Sequence, residues 1–175
     1  MRGLGAMLLT VILALGAGTS GAEVAVTIKD FYGTYSGVGS TRARGGFASD
    51  RGLGVIIRPS AGGGFQVIWS TVIDRRSAKR QKRRTRTLTF RPTGQPRRWR
   101  AGESGDPMKG GFISWARLEG RVLIVYVFAV DAKTGELTAS IWRRRLGDAG
   151  LRINYSRLRD EQLVRGVFAI IKRRK

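Results

Sequence analysis

Short segments in which apolar and polar residues alternate recur from residue 28 to the C-terminus, and this pattern constrains the fold most. The segments follow one another at the spacing of about 8–12 residues that is typical of β-sandwiches and barrels. Turns rich in Gly, Asp and Pro separate them. No stretch of this region has the 3.6-residue period of an amphipathic helix. The pattern predicts an all-β protein, a single antiparallel up-and-down barrel of about 8–10 strands.

The individual strands are predicted from the alternation and from the turn residues between them. The predicted strands are 28–38, 53–58, 65–73, 85–91, 97–100, 112–118, 121–130, 137–146, 151–158 and 163–171. Residues 39–50 are rich in Gly and Arg and are predicted to form a loop. The segment 121–130 is apolar on both faces, so we expect it to be the most buried strand.

The N-terminus has the pattern of an export signal. Arg2 is followed by an apolar run at residues 6–15 and by small residues at 16–22, where Ser20 and Ala22 fit a signal-peptidase site. The apolar run is shorter than the roughly 20 residues that a membrane-spanning helix needs. We therefore predict a signal peptide at 1–22, cleaved after Ala22, a β-barrel domain at 23–175, and a periplasmic or secreted location.

The composition excludes several kinds of catalysis. The chain contains no His and no Cys, so it lacks the usual general base near neutral pH, the commonest metal ligand and a thiolate nucleophile. Most aspartates fall at predicted turns, where their side chains bond the backbone. The glycines at 62–64 also lie in a turn and do not precede a helix, unlike a phosphate-binding loop. We expect a protein that is not an enzyme, with no catalytic residue, no cofactor and no metal. We also predict that it is a monomer.

Basic residues dominate the charge. The net charge is +21, with 33 Lys and Arg against 12 Asp and Glu, and residues 75–86 form a basic run at the predicted tip of a hairpin. Arg binds phosphate and carboxylate groups bidentately. Together with the clusters at 143–145 and 172–175, these residues are predicted to form one electropositive rim. The predicted anion-binding residues are Arg75, Arg76, Lys79, Arg80, Lys82, Arg83, Arg84, Arg86, Arg97, Arg98 and Arg100. The alternative is a solvated surface that reflects a codon bias towards Arg and keeps the protein soluble.

Bulky aromatic residues are candidates to line the barrel interior. A barrel of this size has room either for side chains or for one small ligand. The predicted ligand-binding residues are Trp69, Trp115, Tyr126, Phe128 and Tyr155. The same aromatic rings could instead fill the interior, and the pattern does not distinguish these alternatives.

The segment Phe31-Tyr32-Gly33-Thr34-Tyr35 resembles the opening of the calycins, the superfamily of lipocalins and fatty-acid-binding proteins. In that superfamily a Gly is followed two residues later by an aromatic residue, usually Trp, on the first strand. The resemblance implies that Tyr35 is the plug of the closed end of the barrel. It also implies that an Arg from a late strand packs across Tyr35, with Arg143, Arg144, Arg145 or Arg173 as candidates. The ligand entrance would then lie at the opposite, Arg-rich end.

A second resemblance extends over more of the chain. Residues 29–37, 64–71 and 106–120 are similar to a family of small secreted proteins from alphaproteobacteria. This resemblance implies export and a β-rich fold, and it implies no particular chemistry.

Two functions are consistent with these observations. The first is an exported, non-catalytic binding protein for an amphiphilic or anionic, lipid-like envelope molecule. The second is a cationic surface-interaction protein with a filled core, which binds membrane phosphates or nucleic acid through its Arg-rich hairpin. The first predicts an apolar cavity that opens near the basic residues, and the second predicts none.

Overall fold

The computed structural model describes residues 25–43, 46, 48–73, 82–102 and 105–174. The predicted signal peptide with its cleavage site, and residues 75–81 of the basic run, lie outside these ranges. In the described part, no helix is both long enough and apolar enough to span a membrane.

Ten antiparallel strands form a closed barrel, in which each strand pairs with its neighbours in sequence and the last pairs with the first. The strands are β1 (Gly33–Ala43), β2 (Ala48–Ser60), β3 (Gly64–Ile73), β4 (Lys82–Pro92), β5 (Arg98–Ala101), β6 (Phe112–Glu119), β7 (Val122–Val130), β8 (Leu137–Gly147), β9 (Gly150–Arg159) and β10 (Gln162–Arg173). Two 3₁₀ helices, η1 (Ile28–Phe31) and η2 (Pro107–Lys109), precede β1 and β6. The predicted single, all-β, up-and-down barrel is confirmed.

The first strand begins later than its sequence pattern predicted. Residues 28–31 form the helix η1, because the Asp30 carboxylate accepts hydrogen bonds from the backbone N–H and the hydroxyl of Thr27, at 2.7 and 2.9 Å. These bonds form a capping box, which favours a helical turn over a strand. The prediction of a strand from residue 28 is therefore wrong for residues 28–31, which form η1.

The predicted loop at residues 39–50 is largely strand. β1 continues to Ala43, and β2 already begins at Ala48. Glycine is required here by close packing, since a Cβ on Gly39 would lie 2.6 Å from the Leu53 side chain and 2.8 Å from that of Ala169. The glycines therefore mark a close approach of neighbouring strands, a role that Gly can have within a sheet.

The barrel has two ends with different contents. We call the end that carries η1, where β1 begins and β10 ends, the lower end, and the other the upper end. The lower half of the interior is a dense apolar core in which Phe65 stacks on Phe90, with ring centroids 5.0 Å apart, and meets the edge of Trp99 at 5.3 Å. Other buried core residues at this end include Phe31, Ile57, Leu118, Leu123, Leu151 and Ile171. Side chains fill this half of the barrel.

Gly64, at the start of β3, provides a test of this packing. A Cβ at this position would lie 2.2 Å from the backbone oxygen of Phe90. We expect Gly64→Ala to lower the free energy of unfolding by about 2–4 kcal/mol, because a strand backbone has to move to relieve the overlap. At Gly147 a Cβ would come no closer than 3.7 Å to its neighbours, so Gly147→Ala should change stability by no more than about 0.5 kcal/mol. Urea unfolding of both variants measures the difference, and equal effects would contradict the packing described.

Candidate binding site in the barrel interior

Aromatic and cationic side chains lie in the middle of the interior, directly above the apolar core of the lower end. Successive residues of a strand point to opposite faces, so Trp142 and Arg144 of β8 face inward together. Arg144 pairs across the sheet with Leu123 and Ile153, both of which belong to the buried core. We call Trp69, Ser140, Trp142, Arg144 and Tyr155 the central cluster.

Three aromatic rings are in contact in a row in the central cluster, at tilted angles. The ring centroids of Trp69 and Trp142 are 5.1 Å apart, and those of Trp142 and Tyr155 are 4.8 Å apart. The Tyr155 hydroxyl lies 3.3 Å from the Ser140 hydroxyl. All three rings are only half-buried, whereas the rings of the lower core are almost fully buried. The central cluster therefore borders space that water can reach.

Arg144 is the most unusual residue of the cluster. Its side chain is only 1% exposed, and its guanidinium carbon lies 5.9 Å from the Trp69 ring centroid. Two of its nitrogens, Nε and Nη1, are buried without a hydrogen-bond partner. Burial lowers the pKa of Arg144 to about 10, so the guanidinium is still protonated at neutral pH. The interior thus contains a buried positive charge with unused donors.

Other interior groups share this lack of partners. The Thr41 hydroxyl oxygen and the Arg157 Nε are also buried without a hydrogen bond. The carboxylates whose side chains the structure describes lie in turns or at the ends of helices and strands, and none of these faces the interior: Asp30, Asp106, Glu119, Asp131, Glu136, Asp148, Asp160 and Glu161. Since native proteins rarely leave buried polar atoms unpaired, these groups indicate a site for an anion or for ordered water.

Further arginines occupy inward-facing positions nearer the upper end. By strand alternation these are Arg51, Arg84, Arg86, Arg157 and Arg165. Burial lowers the pKa of Arg51, and the nearby charges of Arg165 and Arg84 lower it further. Four strands therefore bring positive charge together above the central cluster, and the electrostatic potential there attracts anions.

Two of the five predicted ligand-binding aromatics face this region. Trp69 and Tyr155 belong to the central cluster, and their contact with a ligand stays a prediction. The placement of Trp115, Tyr126 and Phe128 in the interior is wrong, because all three lie on the outer wall. Their inward-facing neighbours are smaller, such as Ser114 and Ala116 on β6.

The predicted basic residues are divided between different parts of the barrel. Arg75, Arg76, Lys79 and Arg80 lie outside the described residues, as does the side chain of Lys82. Arg83, Arg84 and Arg86 are exposed on the upper half of β4. In contrast, Arg97 lies in the lower turn before β5, and Arg98 and Arg100 are exposed on the outer wall. The basic clusters therefore do not form the single rim that was predicted.

Arg97 has a structural contact. Its Nη2 donates hydrogen bonds to the backbone oxygens of Val26 and Gly120, at 3.3 and 3.0 Å. These bonds tie the chain segment before η1 to the turn between β6 and β7. Its prediction as an anion-binding residue is not supported by this geometry, since these donors are occupied.

Tyr35 lies at the lower end, where the calycin resemblance would have it. Its side chain is 1% exposed, and its hydroxyl donates to the Phe31 carbonyl oxygen at 2.9 Å. Arg173 donates to the Tyr35 hydroxyl oxygen at 2.8 Å and to the Asp30 carbonyl oxygen at 2.7 Å. Its guanidinium carbon lies 5.4 Å from the Tyr35 ring centroid. Of the four candidate arginines, Arg173 makes the contact that the resemblance implied.

Arg144 was missed as the centre of a site. It was considered as a partner of Tyr35 and as one of three arginines in the predicted electropositive rim. Strand alternation alone places it on the same face as Trp142 and Leu146, and this signal could have predicted an inward-facing arginine.

Within the described ranges, no group of three or more acidic residues is arranged to hold a metal ion.

Comparisons with known proteins give little information. No family model matches the chain, and no curated protein matches it. The resemblance to secreted alphaproteobacterial proteins has no support from these comparisons. The solved structure of an S-type phycobiliprotein lyase from Guillardia theta is similar over 85% of this chain and 90% of that chain, with 7% sequence identity and a TM-score of 0.41. A likeness this weak carries no argument about function.

Proposed function

We propose that this protein is an exported, non-catalytic binding protein that holds an anionic amphiphile inside its barrel. The observation that carries the proposal is the buried, protonated guanidinium of Arg144, whose Nε and Nη1 have no hydrogen-bond partner. Removing a charge from water without a partner costs several kcal/mol, and an anion that accepts hydrogen bonds from it offsets that cost. An anionic head group at Arg144 would receive charge-assisted hydrogen bonds from Nε and Nη1.

The surroundings of Arg144 favour an amphiphile over a simple ion. Trp69 and Trp142 present apolar ring surface beside the cation. The ring of Tyr155, the cross-strand partner of Trp142, extends that surface onto β9. Ligand sites are commonly apolar, with a few placed polar groups that fix the orientation of the ligand. The arginines above the central cluster would attract the anion towards the interior.

Export and the absence of catalysis are parts of the same proposal. The N-terminal pattern at residues 1–22 supports export, and an exported protein meets lipid-like anions of the cell envelope. The lack of His and Cys supports a binding role, since the interior groups described are cationic, aromatic or hydroxyl groups. Neither feature requires a cofactor.

A titration of tryptophan fluorescence tests the proposal. The Trp115→Phe variant removes the signal of the outer wall and leaves Trp69 and Trp142 as reporters of the site, with Trp99 of the lower core as a constant background. We expect dodecyl phosphate to change this fluorescence with an affinity at least about tenfold higher than that of neutral dodecanol, a difference of about 1.4 kcal/mol. Equal affinities for the two compounds, or no saturable change with either, would reject an anion site in the interior.

The alternative function, anion binding on the outside through the hairpin between β3 and β4, has one observation in its favour. Arg83 is exposed on the outer face of β4, close to the basic run. Two results together would favour this alternative. A short DNA duplex would bind and be released by added salt, and dodecyl phosphate would leave the tryptophan fluorescence unchanged.

A further inference from the structure

An aromatic surface lies on the outer wall of strands β6 and β7. The Trp115 ring stacks between those of Tyr126 and Phe128, with centroid distances of 5.0 and 5.2 Å. Trp115 is 37% exposed and its neighbour Ile113 is 38% exposed. We call Ile113, Trp115, Tyr126 and Phe128 the outer aromatic surface. These side chains contribute nothing to the interior, so their clustering needs an explanation on the outside.

Arginines border the outer aromatic surface on two sides. Arg100 pairs across the sheet with Trp115, and the guanidinium carbon of Arg117 lies 5.4 Å from the Tyr126 ring centroid. Below Tyr126, Ile124 has Arg117 and Arg143 as its cross-strand neighbours. Ile124 is only 4% exposed although it faces outward, which is explained by cover from the aliphatic stems of these arginines.

Little negative charge opposes these arginines. Glu119 is the one carboxylate within strands β5 to β8, and its Oε1 lies 3.1 Å from Arg117 Nε. The two side chains are about half exposed, at 41% and 52%, and the pair is not a well-aligned hydrogen bond, since the Arg117 Nε atom is itself buried and has no hydrogen-bond partner. Such exposed pairs contribute little to stability, so Arg117 can exchange this contact for another anion.

The chemistry of this surface indicates which partner covers it. A second copy of the chain would bring its own bordering arginines, and a net charge of +21, against the first. The outer wall of a closed barrel is also convex, and a fluid lipid surface can conform to it. Trp and Tyr are enriched at the membrane–water interface, and each Lys or Arg near an anionic membrane contributes about 1 kcal/mol to binding.

We propose that the outer aromatic surface docks onto an anionic phospholipid bilayer. Trp115 and Phe128 enter the interfacial region, and Arg100 and Arg117 contact lipid phosphates. This inference does not rest on the proposed ligand in the barrel, because it uses a different face of the sheet and different residues.

Sedimentation with lipid vesicles tests the docking. We expect the protein to bind phosphatidylcholine vesicles that contain phosphatidylglycerol, with a blue shift of tryptophan fluorescence, and to bind pure phosphatidylcholine weakly. Trp115→Ser should lower the partition coefficient by about tenfold or more, because it removes the ring that enters the interface. Arg100→Ser should lower it by about fivefold, the effect of one interfacial arginine.

A matched control lies on another part of the outer wall. Phe168 of β10 is 51% exposed and belongs to neither the aromatic stack nor its border, so Phe168→Ser should change vesicle binding by less than about twofold. Circular dichroism checks that all three variants remain folded. If Trp115→Ser is the only variant that unfolds, vesicle binding by the exposed Arg100→Ser variant tests the docking instead.

Three results would overturn the proposal. They are undiminished vesicle binding by folded Trp115→Ser and Arg100→Ser, an equal loss with Phe168→Ser, or a dimer in the wild type that Trp115→Ser dissociates. The two proposals are separable, because Trp115→Ser should still bind dodecyl phosphate, and an Arg144 variant should still bind vesicles.

Discussion

Replacing Arg144 with Met is expected to make the protein more stable and to remove ligand binding at the same time. The free energy of unfolding should rise by about 1–3 kcal/mol, because a buried charge without a partner is replaced by an apolar chain. Affinity for dodecyl phosphate should fall by at least about 100-fold, or about 2.7 kcal/mol, because the anion loses its charged donor. Urea unfolding and the fluorescence titration measure the two effects.

Arg145 provides the control for this substitution. It is the next residue along β8, but it lies on the outer wall and is exposed. Arg145→Met should change stability by no more than about 0.5 kcal/mol and leave dodecyl phosphate binding unchanged. Arg144→Lys should retain part of the affinity, because it keeps the charge and loses the bidentate geometry. A destabilised Arg144→Met variant that still binds the anion would show that Arg144 serves the fold alone.

Truncating Tyr35 is expected to have the largest effect on stability. Tyr35→Ala should lower the free energy of unfolding by about 3–5 kcal/mol, since it removes a buried aromatic ring from the lower core. Tyr35→Phe should cost about 1–2 kcal/mol, because it removes only the hydroxyl that bridges Phe31 and Arg173. Denaturant unfolding of the two variants separates the contribution of the ring from that of the hydrogen bonds.

A double-mutant cycle tests the link between Tyr35 and Arg173 directly. Combining Tyr35→Phe with Arg173→Met should give a coupling energy of about 1–2 kcal/mol, within the range found for residues in contact. Strictly additive effects would mean that the contact between β1 and β10 does not stabilise the lower end. As a control, the change in unfolding free energy from Arg174→Met, at the exposed residue that follows β10, should add to that from Tyr35→Phe without coupling.

Most strands were predictable because the physical signal is local. In β9, for example, Leu151, Ile153 and Tyr155 alternate with polar residues, and all three face inward. The limits of β1 and β2 were less accurate, since Gly39 and the Gly- and Arg-rich residues after it imitate a loop. The need for glycine at position 39 comes from the side chains of Leu53 and Ala169 on other strands, and no local pattern shows that.

The candidate site was predictable only in part. Trp69 and Tyr155 lie on strands with one clearly apolar face, so their direction followed from alternation. Tyr126 and Phe128 lie on β7, which is apolar on both faces, and there alternation cannot distinguish the inside from the outside. Arg144 was hidden for a different reason, because an arginine within a basic run is usually solvated.

The amino-acid sequence by itself determined the β-class, the number and order of most strands, and the exclusion of His and Cys chemistry. These properties depend on residue types and on a period of two residues, which each segment contains within itself. Only the closed barrel decided which face of each strand is interior, because closure pairs β1 with β10 across most of the chain. That closure buries Arg144 among aromatic rings and leaves Trp115 on the outer wall, and so it separates the proposed interior anion site from the proposed membrane-docking surface.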